Sequence, residues 1–101
     1  MFFSVHKIEG DPADLLSKKR TKMDPAIAKL AKGMGAIFSV TVVESNAIVT
    51  YNLWESQEAA SKFSQLPEAR NAQMASGLPK PSSFNQYATE DVFFYKDIKV
   101  D

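Results

Sequence analysis

Apolar and polar positions alternate along parts of this chain and fall on a helical stripe along others. Phe2 to Ile8 alternates with a period of two and reads as a strand. Gly10-Asp11-Pro12 ends it and opens a helix, with Asp11 as N-cap, Pro12 at the first helical position and Asp14 in the first turn. Leu16, Met23, Ile27, Leu30 and Met34 keep one helical face in phase. Pro25 interrupts that stripe and biases Asp24 away from helical angles. The expected result is a kink or two short helices, with Asp24 capping the second and Gly33 and Gly35 supplying the stop. Ala36 to Val43 and Ala47 to Trp54 are rich in β-branched and aromatic residues. Only Glu44-Ser45-Asn46 separates them, so they should form an antiparallel hairpin. Ser56 caps a helix whose inner face is Ala59, Ala60 and Phe63. Leu66-Pro67 breaks it and starts another that ends near Gly77. After the turn-rich LPKPSS, Phe84 to Tyr95 reads as a last strand, bent near Glu90-Asp91.

The order is β-α-β-β-α-β. It implies a ferredoxin-like α+β domain over residues 1–101, with a four-stranded antiparallel sheet and both proline-broken helices on one face. Sorting strand residues by alternation gives two sets. Phe3, Val5, Phe38, Val40, Val42, Val49, Tyr51 and Leu53 are nearly all apolar and are expected under the helices. Ser4, His6, Ile8, Ile37, Ser39, Thr41, Val43, Ile48, Thr50, Asn52 and Trp54 are mixed. Buried hydroxyl and amide groups need partners, so the mixed face is expected to meet a second copy of the sheet across a space shared with water or a ligand.

Composition narrows the function classes. The chain has 101 residues, 12 basic and 12 acidic side chains, and no cysteine. A neutral total argues against a dedicated nucleic-acid or anionic-membrane binder. The missing cysteines remove disulfides, thiolate metal sites and cysteine nucleophiles together. No apolar run reaches the roughly 20 residues of a membrane span, and MFFSVHKIEG lacks the layout of a signal peptide. The protein is therefore expected to be mature from Met1, soluble and cytoplasmic.

Candidate chemistry is sparse. His6, the single histidine, is the candidate catalytic residue, as a general base near neutral pH. Its alternative role is a strand histidine satisfied by a neighbouring hydroxyl or at a subunit contact. Asn52 offers a donor and an acceptor, and Trp54 a flat wall with one donor, so the two could orient a planar polar ligand. Trp54 could equally anchor the strand end under the next helix. Thr50 shares their face. Tyr51, Tyr87 and Tyr95 could present a phenol, or fill core and interface positions. Lys18, Lys19, Arg20 and Lys22 form a basic cluster that could bind phosphate or an acidic partner; the neutral total and nearby Asp11, Asp14 and Asp24 favour a solvated helix face complementing the helix dipole. One histidine and no calcium-loop spacing make a metal site unexpected. No nucleotide-binding glycine motif or serine-nucleophile elbow is present.

Three stretches carry a resemblance: VHKIEGDP from Val5 to Pro12, NLWESQEAASKF from Asn52 to Phe63, and QLPEAR from Gln65 to Arg70. With the element order, they make the chain similar to the dimeric α+β barrel superfamily, which includes antibiotic-biosynthesis-type monooxygenases. The resemblance implies a homodimer packed through its sheets. It also implies a ligand space between each sheet and its own helices, lined here by Phe3, Phe38, Tyr51, Met23, Met34 and Phe63. No cofactor is expected. Haem-degrading members use a histidine on the second helical segment, and this chain has Gln73 about there.

The leading expectation is a homodimer that binds an apolar or aromatic small molecule with a polar head. The resemblance implies cofactor-free oxygenation or isomerisation, with His6 moving a proton and Asn52 placing the substrate oxygen. Ligand contacts are expected from Asn52, Trp54, Thr50, Tyr51, Phe38 and Phe63. The alternative is a non-catalytic structural or regulatory dimerisation module. An RNA-binding domain of the same order ranks last, because AIVTYNLW offers no basic residue beside its aromatics.

Overall fold

The computed structural model describes residues 1–95, so the expected domain span of 1–101 runs six residues beyond it. Strand β1 (Phe2–Glu9) is followed by helix α1 (Pro12–Lys18), a π-helical turn (Lys19–Met23) and helix α2 (Asp24–Gly33). Strands β2 (Ala36–Glu44) and β3 (Ala47–Trp54) form the hairpin around Ser45-Asn46. Helices α3 (Gln57–Gln65) and α4 (Pro67–Ser76) lead to strand β4 (Ser83–Ala88). The strands pair antiparallel in the order β2-β3-β1-β4, the ferredoxin-like arrangement. Among the described residues, no helix is long and apolar enough to cross a membrane.

Local signals explain most of the boundaries. The Asp11 carboxylate accepts from the Asp14 N–H at 3.1 Å, and the Ser56 hydroxyl accepts from the Ala59 N–H at 3.1 Å. Each satisfies an N–H that its helix leaves unpaired. Gly77 closes α4 at φ 76°, the left-handed position that favours glycine.

Two boundary expectations are corrected. The first helical stretch does divide into two short helices, α1 and α2, but Asp24 does not cap the second. Asp24 is helical (φ −57°, ψ −43°), and its N–H donates to the Lys19 carbonyl five residues back. Pro25 has no N–H for the carbonyl four residues back, and the wider π turn that joins α1 to α2 accommodates that loss. The last strand does not run from Phe84 to Tyr95. It spans Ser83–Ala88, because Ala88 pairs with Phe2 at the very start of β1 and no partner strand continues past it. Thr89 finishes the edge by donating its N–H to the Met1 carbonyl at 3.2 Å.

The face assignment is inverted. Alternation sorted the residues into the right sets, but the helices cover the mixed set. Phe2 and Trp54 pack with Ala60, Ala31, Ala36, Ala59 and Phe63 at one end of the sheet. Ile8 and Ile48 pack with Leu15, Leu16 and Leu78 at the other. The nearly apolar set, including Val40, Val42 and Tyr51, lies on the opposite, open face. There Val40 and Val42 are exposed, Tyr51 stacks beside Phe3 at 6.0 Å, and Lys7 reaches over to Glu44 at 3.1 Å. A period of two says which residues share a face, not which face the crossover helices take. The assumption that failed is that helices must press onto the more apolar side. They are seated on apolar residues at both ends and stand off between them.

Candidate functional site

Strand register builds the floor of the space beneath the helices. Ser39, Asn52, Ser4 and Gln86 are directly paired from β2 across to β4 and form one row. Thr41, Thr50, His6 and Phe84 form the next. On one side of these rows lies the apolar row of Ala36, Trp54, Phe2 and Ala88; on the other lie Val43, Ile48 and Ile8. The floor is thus two rows of mostly polar groups between two apolar seats. Above it is a cavity of about 520 Å³, roofed by Met23, Ile27, Ala28 and Ala31 from the first helical segment and by Phe63, Ala69 and Gln73 from the second. That volume suits an ordinary small-molecule site.

The two candidate cavities expected from sequence are one. His6, Thr50, Asn52, Trp54, Phe38 and Phe63 all line it. Tyr51 does not, and neither do Phe3 and Met34; Tyr51 and Phe3 belong to the open face for the reason given above. Ser4, Gln86, Ile37 and Lys19 were not singled out as ligand contacts but line the space too. Ser4 and Gln86 were recoverable from pairing with Asn52, once the register was known.

The polar groups of the floor differ in how they are used. The Thr41 and Thr50 hydroxyls share a hydrogen bond at 3.0 Å, which holds that end of its row. The His6 ring, the Ser4 hydroxyl and the Asn52 amide make no side-chain hydrogen bond to protein among the described residues, so their capacity is open to whatever enters. His6 stands against the Phe84 ring, with centroids 4.6 Å apart. Burial lowers its pKa from the ordinary 6.5, because a charged imidazolium would lose its water there. His6 is therefore neutral at pH 7, with a ring nitrogen able to accept a proton. Trp54 is buried, and its indole lies 5.2 Å from the Phe63 ring, so it is both core anchor and cavity wall.

The basic cluster is divided. Lys18 pairs with Asp14 at 3.0 Å on the surface, and Arg20 and Lys22 are exposed, as a solvated face requires. Lys19 turns inward and pairs with Asp24 at 3.0 Å on the cavity wall. Among the described residues, no cluster of three or more histidine, aspartate or glutamate side chains could hold a metal ion. A second, shallower hollow of about 600 Å³ lies on the open face, where Phe3, Phe38 and Leu53 meet Val92, Phe93 and Phe94. Thr89, Asp91 and Tyr95 line it too.

No protein-family model and no curated protein matches this sequence. Solved structures do match its fold. SnoaB, a cofactor-independent oxygenase from Streptomyces nogalater, superposes with a TM-score of 0.66 at 15% identity, over 90% of this chain and 93% of that one. Rv0793 from Mycobacterium tuberculosis gives 0.67 at 17% identity, over 90% and 96%. A monooxygenase from the gene ActVA-Orf6 of Streptomyces coelicolor, solved with the ligand Nanaomycin D, gives 0.64 at 16% identity, over 94% and 92%. The chain thus shares the ferredoxin-like fold of these structures, as the resemblance implied. Identities this low speak for fold alone.

Proposed function

We propose that the cavity between helices and sheet binds a flat aromatic molecule with a polar head, and that the protein oxygenates it without a cofactor. One observation carries the reading. Three polar side chains with open hydrogen-bonding capacity, Ser4, His6 and Asn52, sit side by side on the floor of an otherwise apolar cavity. Their polar atoms stay accessible within the cavity rather than sealed in the core, so a ligand with matching groups can take the place of water there. The likeness in fold to a cofactor-independent oxygenase and to a monooxygenase with a bound ligand supports the same reading.

The chemistry follows from the positions. Neutral His6 takes a proton from an acidic C–H or O–H of the substrate. The Asn52 amide donates to the substrate oxygen where negative charge collects. The resulting anion is itself electron-rich enough to reduce dioxygen. For a doubly activated methylene, one oxygen atom becomes the carbonyl and the other leaves as water: R–CH2–R′ + O2 → R–CO–R′ + H2O. Trp54 and Phe63 form a flat wall for the aromatic body.

A second copy of the chain covers the open sheet face. Val40, Val42 and Tyr87 are exposed there beside Phe3 and Tyr51, an apolar patch larger than scattered surface residues make. This keeps the expected homodimer and moves it to the other side of the sheet.

The test is oxygen uptake with a panel of polycyclic phenols and activated methylene compounds, with no flavin or metal added. The wild type should consume oxygen with at least one of them. His6→Gln should lose about 10²-fold or more in kcat, the usual size of general-base catalysis. Ligand binding without turnover across the panel would reduce the protein to a binding module.

A further inference from the structure

The geometry points to an acid group on the ligand, received by the Lys19 ammonium that the π turn delivers to the cavity wall. This deepens the proposed function and rests on it. In an α-helix, residues five apart point about 140° away from each other. Lys19 and Asp24 are five apart, yet the Lys19 Nζ lies 3.0 Å from both Asp24 carboxylate oxygens. The wider π turn, closed by the Asp24 N–H on the Lys19 carbonyl, brings the two onto one face. That face lines the cavity. Short π segments of this kind recur at functional sites.

Charge balance gives the sign of the ligand. The charged side chains lining the cavity are Lys19, Lys32, Arg70 and Asp24: three cations and one carboxylate, in a chain of zero net charge. Asp24 is spent on Lys19, whose ammonium keeps one of its three donors. Lys32 and Arg70 are exposed at the rim of the cavity and have no carboxylate within ion-pair distance among the described residues. The Arg70 Nε donates to the Ser64 carbonyl at 3.3 Å, which orients its guanidinium. All these cations come from the helical wall, while the neutral polar groups come from the sheet. The ligand is accordingly a molecule with two polar ends: a carboxylate toward the helices and a neutral hydroxyl or carbonyl group toward Asn52 and His6.

The experiment compares 2-naphthoate with 2-naphthamide, two probes of one shape that differ in charge, by calorimetry on the full chain. The wild type should bind the acid about tenfold more tightly, the size of one hydrogen bond to a charged group. That preference should shrink as salt is raised. Asp24→Asn frees the ammonium and should tighten the acid several-fold while leaving the amide unchanged. Lys19→Met and Arg70→Gln should each weaken the acid alone. Equal binding of the two probes in the wild type, with no response to Asp24→Asn, overturns this inference and leaves the cavity reading standing. Binding of neither probe overturns both.

Discussion

Trp54 and Tyr51 stand three residues apart on β3, on opposite faces of the sheet, and their truncation separates the core from the proposed subunit contact. Trp54 is 6% exposed and packs on Phe2, Ala60 and Phe63. Removing a buried aromatic side chain costs about 3–5 kcal/mol. The low end applies here, because one side of the indole already borders open space. About 3 kcal/mol lowers the Tm of a domain this size by roughly 12–24 °C. Tyr51 lies on the open face beside Phe3 and is only partly covered by its own chain. Its removal should cost the monomer about 1 kcal/mol. It should also weaken the dimer, where a central aromatic residue is worth about 2 kcal/mol or more. Urea unfolding at several protein concentrations distinguishes the two. Trp54→Ala should lower the midpoint equally at every concentration. Tyr51→Ala should flatten the concentration dependence of the midpoint, which for a dimer rises with concentration. If Tyr51→Ala gave the large, concentration-independent loss and Trp54→Ala the oligomer defect, the helices would have to cover the other face, and the reasoning would fail.

Other consequences are more local. Ser56→Ala removes the cap on α3 and should cost about 1 kcal/mol, read as a shift of the urea midpoint with an unchanged slope. Gly35 has φ 99°, and a Cβ there would meet the Ala59 Cβ and a Glu55 carboxylate oxygen at 3.1 Å; Gly35→Ala should therefore cost more than 1 kcal/mol in the same assay. His6 contributes a pH dependence of known sign. Its folded pKa lies below 6.5, so the unfolded chain binds more protons in the window just under that value, and stability should fall as pH drops through it. His6→Gln should remove that component, and a flat difference curve between pH 7 and 5 would show that burial does not depress the histidine.

The alternation of β1, β2 and β3, the caps at Asp11 and Ser56 and the glycine at 77 were legible because each is a local device. The grouping of His6, Thr50, Asn52 and Trp54 was legible too, since residues two apart on paired strands share a face whatever lies above. Which face the helices occupy was not, because that depends on the crossovers rather than on any strand. The end of β4 was hidden for a related reason: Phe93, Phe94 and Tyr95 have strand composition, but β1 is already exhausted at Phe2. In sequence Lys19 cannot be told from its basic neighbours Lys18, Arg20 and Lys22. Only the π turn, a response to Pro25 that the 3.6-residue stripe conceals, turns it inward onto Asp24.

The central claim is that the cavity floored by Ser4, His6 and Asn52 is a ligand site. Trp54 is the single tryptophan of the chain and forms part of its wall, so its fluorescence reports that space directly. Titration with 1,4-naphthoquinone should give saturable quenching at one ligand per chain, weakened at least severalfold in Asn52→Leu. Linear, non-saturating quenching that is identical in the wild type and Asn52→Leu would contradict it.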